Sequence, residues 1–259
     1  MQSATPKEMM AVFISRQIRN GEYVALGANL PISTAGVLLA HFTHAPDLKL
    51  GALSYLTSIA DLEEFDDLAQ VADPKLINLA EAVLSLEEAL NAVPRMDLCF
   101  TGCLQVDRYG NTNLIGVGQD HQALQFRGPG SVGSSTVMAL VRRYFIHTGN
   151  HSPKTLVERC DFRSAVGWDE GGADAREKLG LPGGGPEFVI TPKAVLDFEE
   201  ATKRMRLKHV VPPATVEEVV AGVAFDLLLP VELEPLDSPT EEELAVLRSR
   251  VDVKGVLRS

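Results

Sequence analysis

Three polar, glycine-rich stretches interrupt an otherwise apolar chain, and each offers a different piece of chemistry. GCLQVDRYGNTN (102–113) leaves the apolar run MDLCFTG (96–102) at its carboxyl end, where open α/β sheets gather their ligands. Asp107-Arg108-Tyr109-Gly110-Asn111 is turn chemistry, with Gly110 or Asn111 able to take positive φ, so a plain tight turn is the competing reading. Gln105 and Asn113 either hold a substrate group or satisfy buried backbone; Asn111 is counted with them as a substrate contact. In FRGPGSVGSS (126–135), the run Gly128, Gly130, Ser131, Gly133 lets backbone N–H groups point at an anion or a developing oxyanion, and Arg127 adds charge. A surface loop is the alternative there. AVGWDEGGADAREKLGLPGGGPEF (165–188) places the only tryptophan, Trp168, in a loop of glycines and acids, where a large aromatic packs the loop down and Asp169 and Glu170 fix it.

Single residues add less. His121 is a candidate acid or base, whereas His147 and His151 flank a loop and are less central. Cys103 ends the apolar strand with no His or Lys near it in sequence to lower its pKa, so it reads as a small buried hydrophobe, and Cys99 as core. With Cys160 they make an odd, sparse set that fits a reducing compartment and no zinc spacing; no metal is expected. A net charge of −11, without basic stripes, argues against nucleic acid or an anionic membrane as partner. A polyanionic ligand would need its positive field from a local pocket or another chain. No stretch approaches the run of about 18 apolar residues of a membrane span, and MQSATPKEMM lacks a signal-peptide pattern, so the cytoplasm is the expected compartment.

The elements that must position these stretches follow an α/β rhythm. Thr5 and Glu8 have capping-box spacing with Pro6 at the first helical position; Met10, Phe13, Ile14 and Ile18 share one face, and Gly21 is the expected stop. EYVALG (22–27) reads as a buried strand, Ser33 as the cap of a helix running to about Phe42, and LKLGAL as the next strand. Ser85 and Glu88 cap another helix, which ends near Pro94 before MDLCFTG. From about residue 187 the pattern turns to hairpins, EFVIT, VLDFE and KRMRLK, then two helices capped by Thr215/Glu218 and Thr240/Glu243. The expected fold is one α/β domain over 1–259: an open, mostly parallel sheet flanked by helices.

Taken in order, GANLP (27–31), APD (45–47), GCLQVDRYGNTN, the RGPG loop, GWDEGGADAREKLGLPGG and VLDFEEATKRMRL (195–207) closely resemble the β subunit of glutaconate CoA-transferase, from about residue 7 to about 230. QVDRYGNTN and REKLGLPG carry most of that likeness. The resemblance implies a family I CoA-transferase fold, an α-subunit partner with the active site between the chains, and an acyl-CoA substrate. It also implies a γ-carboxyl glutamate nucleophile on this chain, and an oxyanion loop that Gly128 to Gly133 match best.

One expected residue is missing. The resemblance sets the glutamate's place at about Leu53, followed by Ser54 and Tyr55, yet positions 48 to 60 contain no Asp or Glu. Relatives of this fold without the glutamate act as acyl-CoA decarboxylases or as hydrolases that open a carbon ring. On that reading the patch Leu53, Ser54, Tyr55 and Leu56 holds the acyl part of the substrate, Asn29 and His121 are further substrate-binding residues, the loop stabilises an enolate, and a base, on this chain or the α chain, moves the proton. The competing readings are a true transferase whose nucleophile is Asp61, Glu63 or Glu64, and a non-catalytic structural or acyl-CoA binding subunit.

Overall fold

The computed structural model describes residues 3–27, 29–52, 68, 80, 82–131 and 133–259. Its α/β chain forms a mostly parallel sheet flanked by helices, and divides into two compact units, Met1–Phe100 with Asp237–Ser259, and Thr101–Leu236.

The first unit opens with α1 (Pro6–Arg16), where the Thr5 side chain accepts from the Glu8 amide and the Glu8 carboxylate accepts from the Thr5 amide. The helix stops at Arg16, with Gln17 as cap and Gly21 in a later turn at φ +80, so the expected end at Gly21 was too late: the last-turn amides bond to Ile14 and Ser15 carbonyls before the glycine is reached. Met10, Phe13, Ile14 and Ile18 are buried together as expected. β1 (Tyr23–Leu26) leads to α2 (Pro31–Thr43). Ser33 does not cap α2: Pro31, whose fixed φ suits a first turn, starts it, leaving Ser33 buried within the helix. α1 and α2 cross closely at Gly36, where a β-carbon would stand 2.8 Å from Ile14 Cβ.

β2 (Lys49–Ala52), α3 (Leu86–Ala92) and β3 (Leu98–Gly102) follow, α3 capped by Ser85 and Glu88 as expected and followed by a tight turn through Pro94. β1 pairs in parallel with β2 (Val24 opposite Leu50) and β3 (Val24 opposite Leu98). The carboxyl end of this parallel set leads to Asn29, which has left-handed backbone at φ +56. Leu53, Ser54, Tyr55, Leu56, Asp61, Glu63 and Glu64 lie outside the described residues.

The second unit contains a hairpin of β4 (Gln105–Asp107) and β5 (Thr112–Asn113), then β6 (Gly116–Val117) paired antiparallel with β7 (Phe126–Arg127). α4 (Ser134–Leu140) runs into β8 (Arg143–His147). β9 (Leu156–Val157) lies parallel to β4, and α5 (Ala175–Lys178) sits within the long glycine-rich loop. β8 pairs in parallel with β10 (Pro186–Ile190), which continues antiparallel through β11 (Ala194–Phe198) and β12 (Met205–Val210), the expected hairpins. Tyr144, Phe145, Ile146, Val189, Leu196 and Leu207 form its core. α6 (Val216–Ala221) completes this unit, and α7 (Glu241–Val246) belongs to the first; they carry the capping boxes read at Thr215 and Thr240. Among the described residues no helix is long and apolar enough to cross a membrane.

Candidate functional site

The β4–β5 hairpin turns at Gly110 (φ +72) around a buried carboxylate. Asp107 Oδ1 accepts from the amides of Tyr109 (3.0 Å) and Asn111 (3.1 Å), and both its oxygens accept from Asn111 Nδ2. Burial raises the Asp107 pKa, while these donors and Arg163 act the other way. Asn111 also donates to the Asp169 carbonyl (2.7 Å) and accepts from the Gly167 amide (2.9 Å), so the hairpin and the GWDEGG loop are one assembly.

Asn113 does the corresponding work on the other arm. Its Nδ2 donates to Gln105 Oε1 (2.7 Å) and the Gly116 carbonyl (2.8 Å), while its Oδ1 accepts from the Ile115 amide (2.9 Å). Gln105 in turn donates to Asp161 (3.1 Å). The three amide side chains are thus buried and bonded to protein.

Asn113 fixes the segment that carries the glycine loop. The amides of Gly128 and Gly130 donate to the Ile115 and Leu114 carbonyls, each at 2.9 Å, extending the β6–β7 ladder. Two of the amides expected to face an oxyanion are therefore turned inward. Those of Ser131 and Gly133 donate to no described residue. A β-carbon on Gly128 would run into the Leu114 carbonyl; one on Gly130 would meet open space, though at φ +92.

The far end of α4 is held by Arg176, the first residue of the REKLGLPG stretch, to which the sequence alone assigns no role of its own. Arg176 is buried, and its guanidinium donates to the carbonyls of Gly183 (2.8 Å), Val166 (3.1 Å), Gly167 (3.0 Å), Met138 (2.8 Å) and Ala139 (3.2 Å). It ties the last turn of α4 to the loop that Asn111 grips. Its five acceptors come from three separate segments, the one in α4 more than thirty-five residues away, so the tertiary structure is what reveals the role.

The remaining candidates divide. His121 is exposed, with its ring 4.3 Å from Phe162. His151 is held between Thr191 Oγ1 (2.8 Å) and the Val219 carbonyl (2.9 Å), and burial lowers its pKa. Burial also lowers His147, to about 4. Burial pushes the Cys99 and Cys103 thiols up to about 12, which leaves them protonated and unreactive. Trp168 packs its loop, donating to the Pro186 carbonyl (3.2 Å), and Asp169 pairs with Arg163. Beside the hairpin, Asp107, Arg159, Cys160, Asp161, Arg163 and Glu170 line a cleft of about 360 Å³. Among the described residues no group of three or more His, Cys, Asp or Glu could hold a metal.

A family model described as coenzyme A transferase matches residues 74–222, a span that includes the hairpin, the glycine loop and Arg176. The chain belongs to the coenzyme A transferase family. It is similar to the β subunit of glutaconate CoA-transferase from Acidaminococcus fermentans, 32% identical over 254 residues, covering 96% of this chain and 92% of that one. The crystal structure of glutaconate coenzyme A-transferase from the same organism superposes with a TM-score of 0.85 at 27% identity, covering 98% and 97% of the two chains. The IpdB subunit of the cholesterol ring-cleaving hydrolase of Mycobacterium tuberculosis is 24% identical over 264 residues, covering 98% and 97%. The proteins this chain resembles over nearly their full length therefore include both a transferase subunit and a ring-cleaving hydrolase subunit, and family membership alone leaves the reaction open.

Proposed function

We propose that this chain is the β subunit of a heteromeric enzyme that cleaves a carbon–carbon bond in a CoA-linked acid, by hydrolysis or decarboxylation, leaving the thioester intact. The observation that carries this reading is the absence of any Asp or Glu from 48 to 60, where the family resemblance sets a glutamate nucleophile. Without a carboxylate there, no acyl anhydride or glutamyl thioester can form at that place. The thioester then serves a different purpose: it acidifies the adjacent carbon and accepts the electron pair released there as an enolate. The amides of Ser131 and Gly133 are the donors on this chain for that oxygen. Gly128 and Gly130 shape the loop by donating to the Ile115 and Leu114 carbonyls, Asn113, bonded to Gln105, holds the adjoining 115–116 segment, and Asn111 holds the separate GWDEGG loop. From the sequence resemblance we assign Leu53, Ser54 and Tyr55, with Asn29, to substrate binding, and proton transfer to His121 or to a residue of an α-subunit partner.

The 32% identity to a glutaconate CoA-transferase chain favours the second reading, a true transferase with a displaced nucleophile at 61 to 64. Co-purification with the α subunit, followed by incubation with CoA thioesters of unsaturated dicarboxylic and ring-containing acids in heavy-oxygen water, separates the two. Loss of carbon dioxide, or gain of water with CoA still attached, is the expected result. Formation of a new CoA ester with an added acceptor acid overturns it.

A further inference from the structure

A second cleft in the Thr101–Leu236 unit, of about 540 Å³, is lined by the aromatic residues Trp168, Phe188 and Phe198 and by the cationic residues Arg143, Lys203 and Lys208, with Lys203 over the Trp168 ring. That volume is within the usual range for small-molecule sites, about 300–1,000 Å³. The two carboxylates in its wall are already committed: Glu187 accepts from Arg143 at 3.0 Å, and Asp197 from Arg206 at 2.9 and 2.8 Å. Neither Lys203 nor Lys208 has an ion-pair partner among the described residues, so the cleft keeps surplus positive charge in a chain of net charge −11.

Lys203 is unusual in its backbone as well. It stands at φ +55 in the turn joining β11 to β12, a conformation that favours glycine or asparagine, and its ammonium lies 4.5 Å from the Trp168 ring centroid. The ammonium is thus held by an aromatic face and not by a carboxylate, and an anion can draw it away without breaking an ion pair.

We propose that this cleft is a ligand site for a nucleoside phosphate, the flat ring packing on the aromatic side and the phosphate meeting Lys203 and Lys208. Such a group has two sources, the 3′-phosphorylated nucleotide end of coenzyme A or a free nucleotide. The first deepens the acyl-CoA reading above; the site itself does not depend on it.

Trp168 is the chain's only tryptophan, so its emission reports occupancy directly. The full chain is titrated with adenosine 3′,5′-bisphosphate, 5′-AMP and inorganic phosphate while Trp168 fluorescence is followed. A saturable change is expected with the nucleotides, weakened at least tenfold in Lys203→Gln and in Lys208→Gln, and unchanged in Lys154→Gln, an exposed lysine outside the cleft. Tighter binding of the bisphosphate by tenfold or more assigns the site to the coenzyme; equal binding assigns it to a free nucleotide. Lack of saturation by either nucleotide into the millimolar range, a response to inorganic phosphate alone, or binding that both lysine variants leave intact overturns the proposal. Because no turnover is measured, failure here is distinct from failure of the carbon–carbon cleavage reading.

Discussion

Replacing Asn113 by alanine removes two donors and one acceptor from the segment that holds the glycine loop, and leaves the Gly116 carbonyl and the Ile115 amide without those partners. Unpaired buried groups of this kind cost about 1–3 kcal/mol each, so a loss of about 3 kcal/mol in urea unfolding is expected, against less than 1 kcal/mol for exposed His121→Ala. His147 gives a pH signature. Its pKa is about 4 in the folded chain and about 6.5 when unfolded, so between those values the unfolded state binds the extra proton. Its contribution is therefore intact above about pH 6.5 and lost as pH falls toward 4, by up to about 3 kcal/mol. The difference in unfolding free energy between the wild type and His147→Gln, measured from pH 7.5 to 4, should narrow by that amount; a pH-independent difference refutes it. Both residues were visible in the sequence, but their burial was not, because burial is decided by chain segments far from each.

Local signals were read most directly at the level of elements. The boxes at Thr5/Glu8, Ser85/Glu88, Thr215/Glu218 and Thr240/Glu243 all form, since a cap needs only partners three residues apart. Thr240→Ala should cost about 1 kcal/mol of stability, read as a lowered urea midpoint, with Thr240→Ser largely restoring it. Helix limits at Gly21 and Ser33 were misread because proline and the tertiary end of a helix outweigh a nearby glycine or serine. The glycine loop shows the same division. Its composition pointed to an anion-binding run, yet the inward turn of the Gly128 and Gly130 amides depends on carbonyls at 114 and 115, more than ten residues away. Gly128→Ala, which meets the Leu114 carbonyl, should displace the loop and abolish activity of the complex, while Gly130→Ala meets only its own φ and should lose about 1–2 kcal/mol of stability. Equal effects of the two substitutions on turnover would contradict the division of labour drawn between them.

The whole chain closes on itself through a pairing no local pattern shows. Glu8, on α1, is fully buried, and Arg248, in the C-terminal segment, donates to its two carboxylate oxygens at 2.8 and 2.9 Å. Burial works against the charged form, but the Arg248 hydrogen bonds and the Thr5 amide outweigh it and hold the Glu8 carboxyl below its ordinary range. Arg16 makes a second bridge to Glu243, at 2.8 and 2.7 Å. The segment from Asp237 thereby belongs to the same unit as the first hundred residues, although it is last in sequence. Removing one partner of such a pair strands a buried charge, so Arg248→Met should destabilise by about 3 kcal/mol, more than an exposed pair such as Lys178–Asp174 could contribute. Pairing it with Glu8→Gln removes the stranded charge. If the Glu8–Arg248 contact is what fastens the two ends, the double variant should recover at least half of the lost stability in a double-mutant cycle, and the two single losses should fail to add. Simple additivity would instead mean that the ends are held by packing of α1 against its neighbours, and that the ion pair only fills the seam.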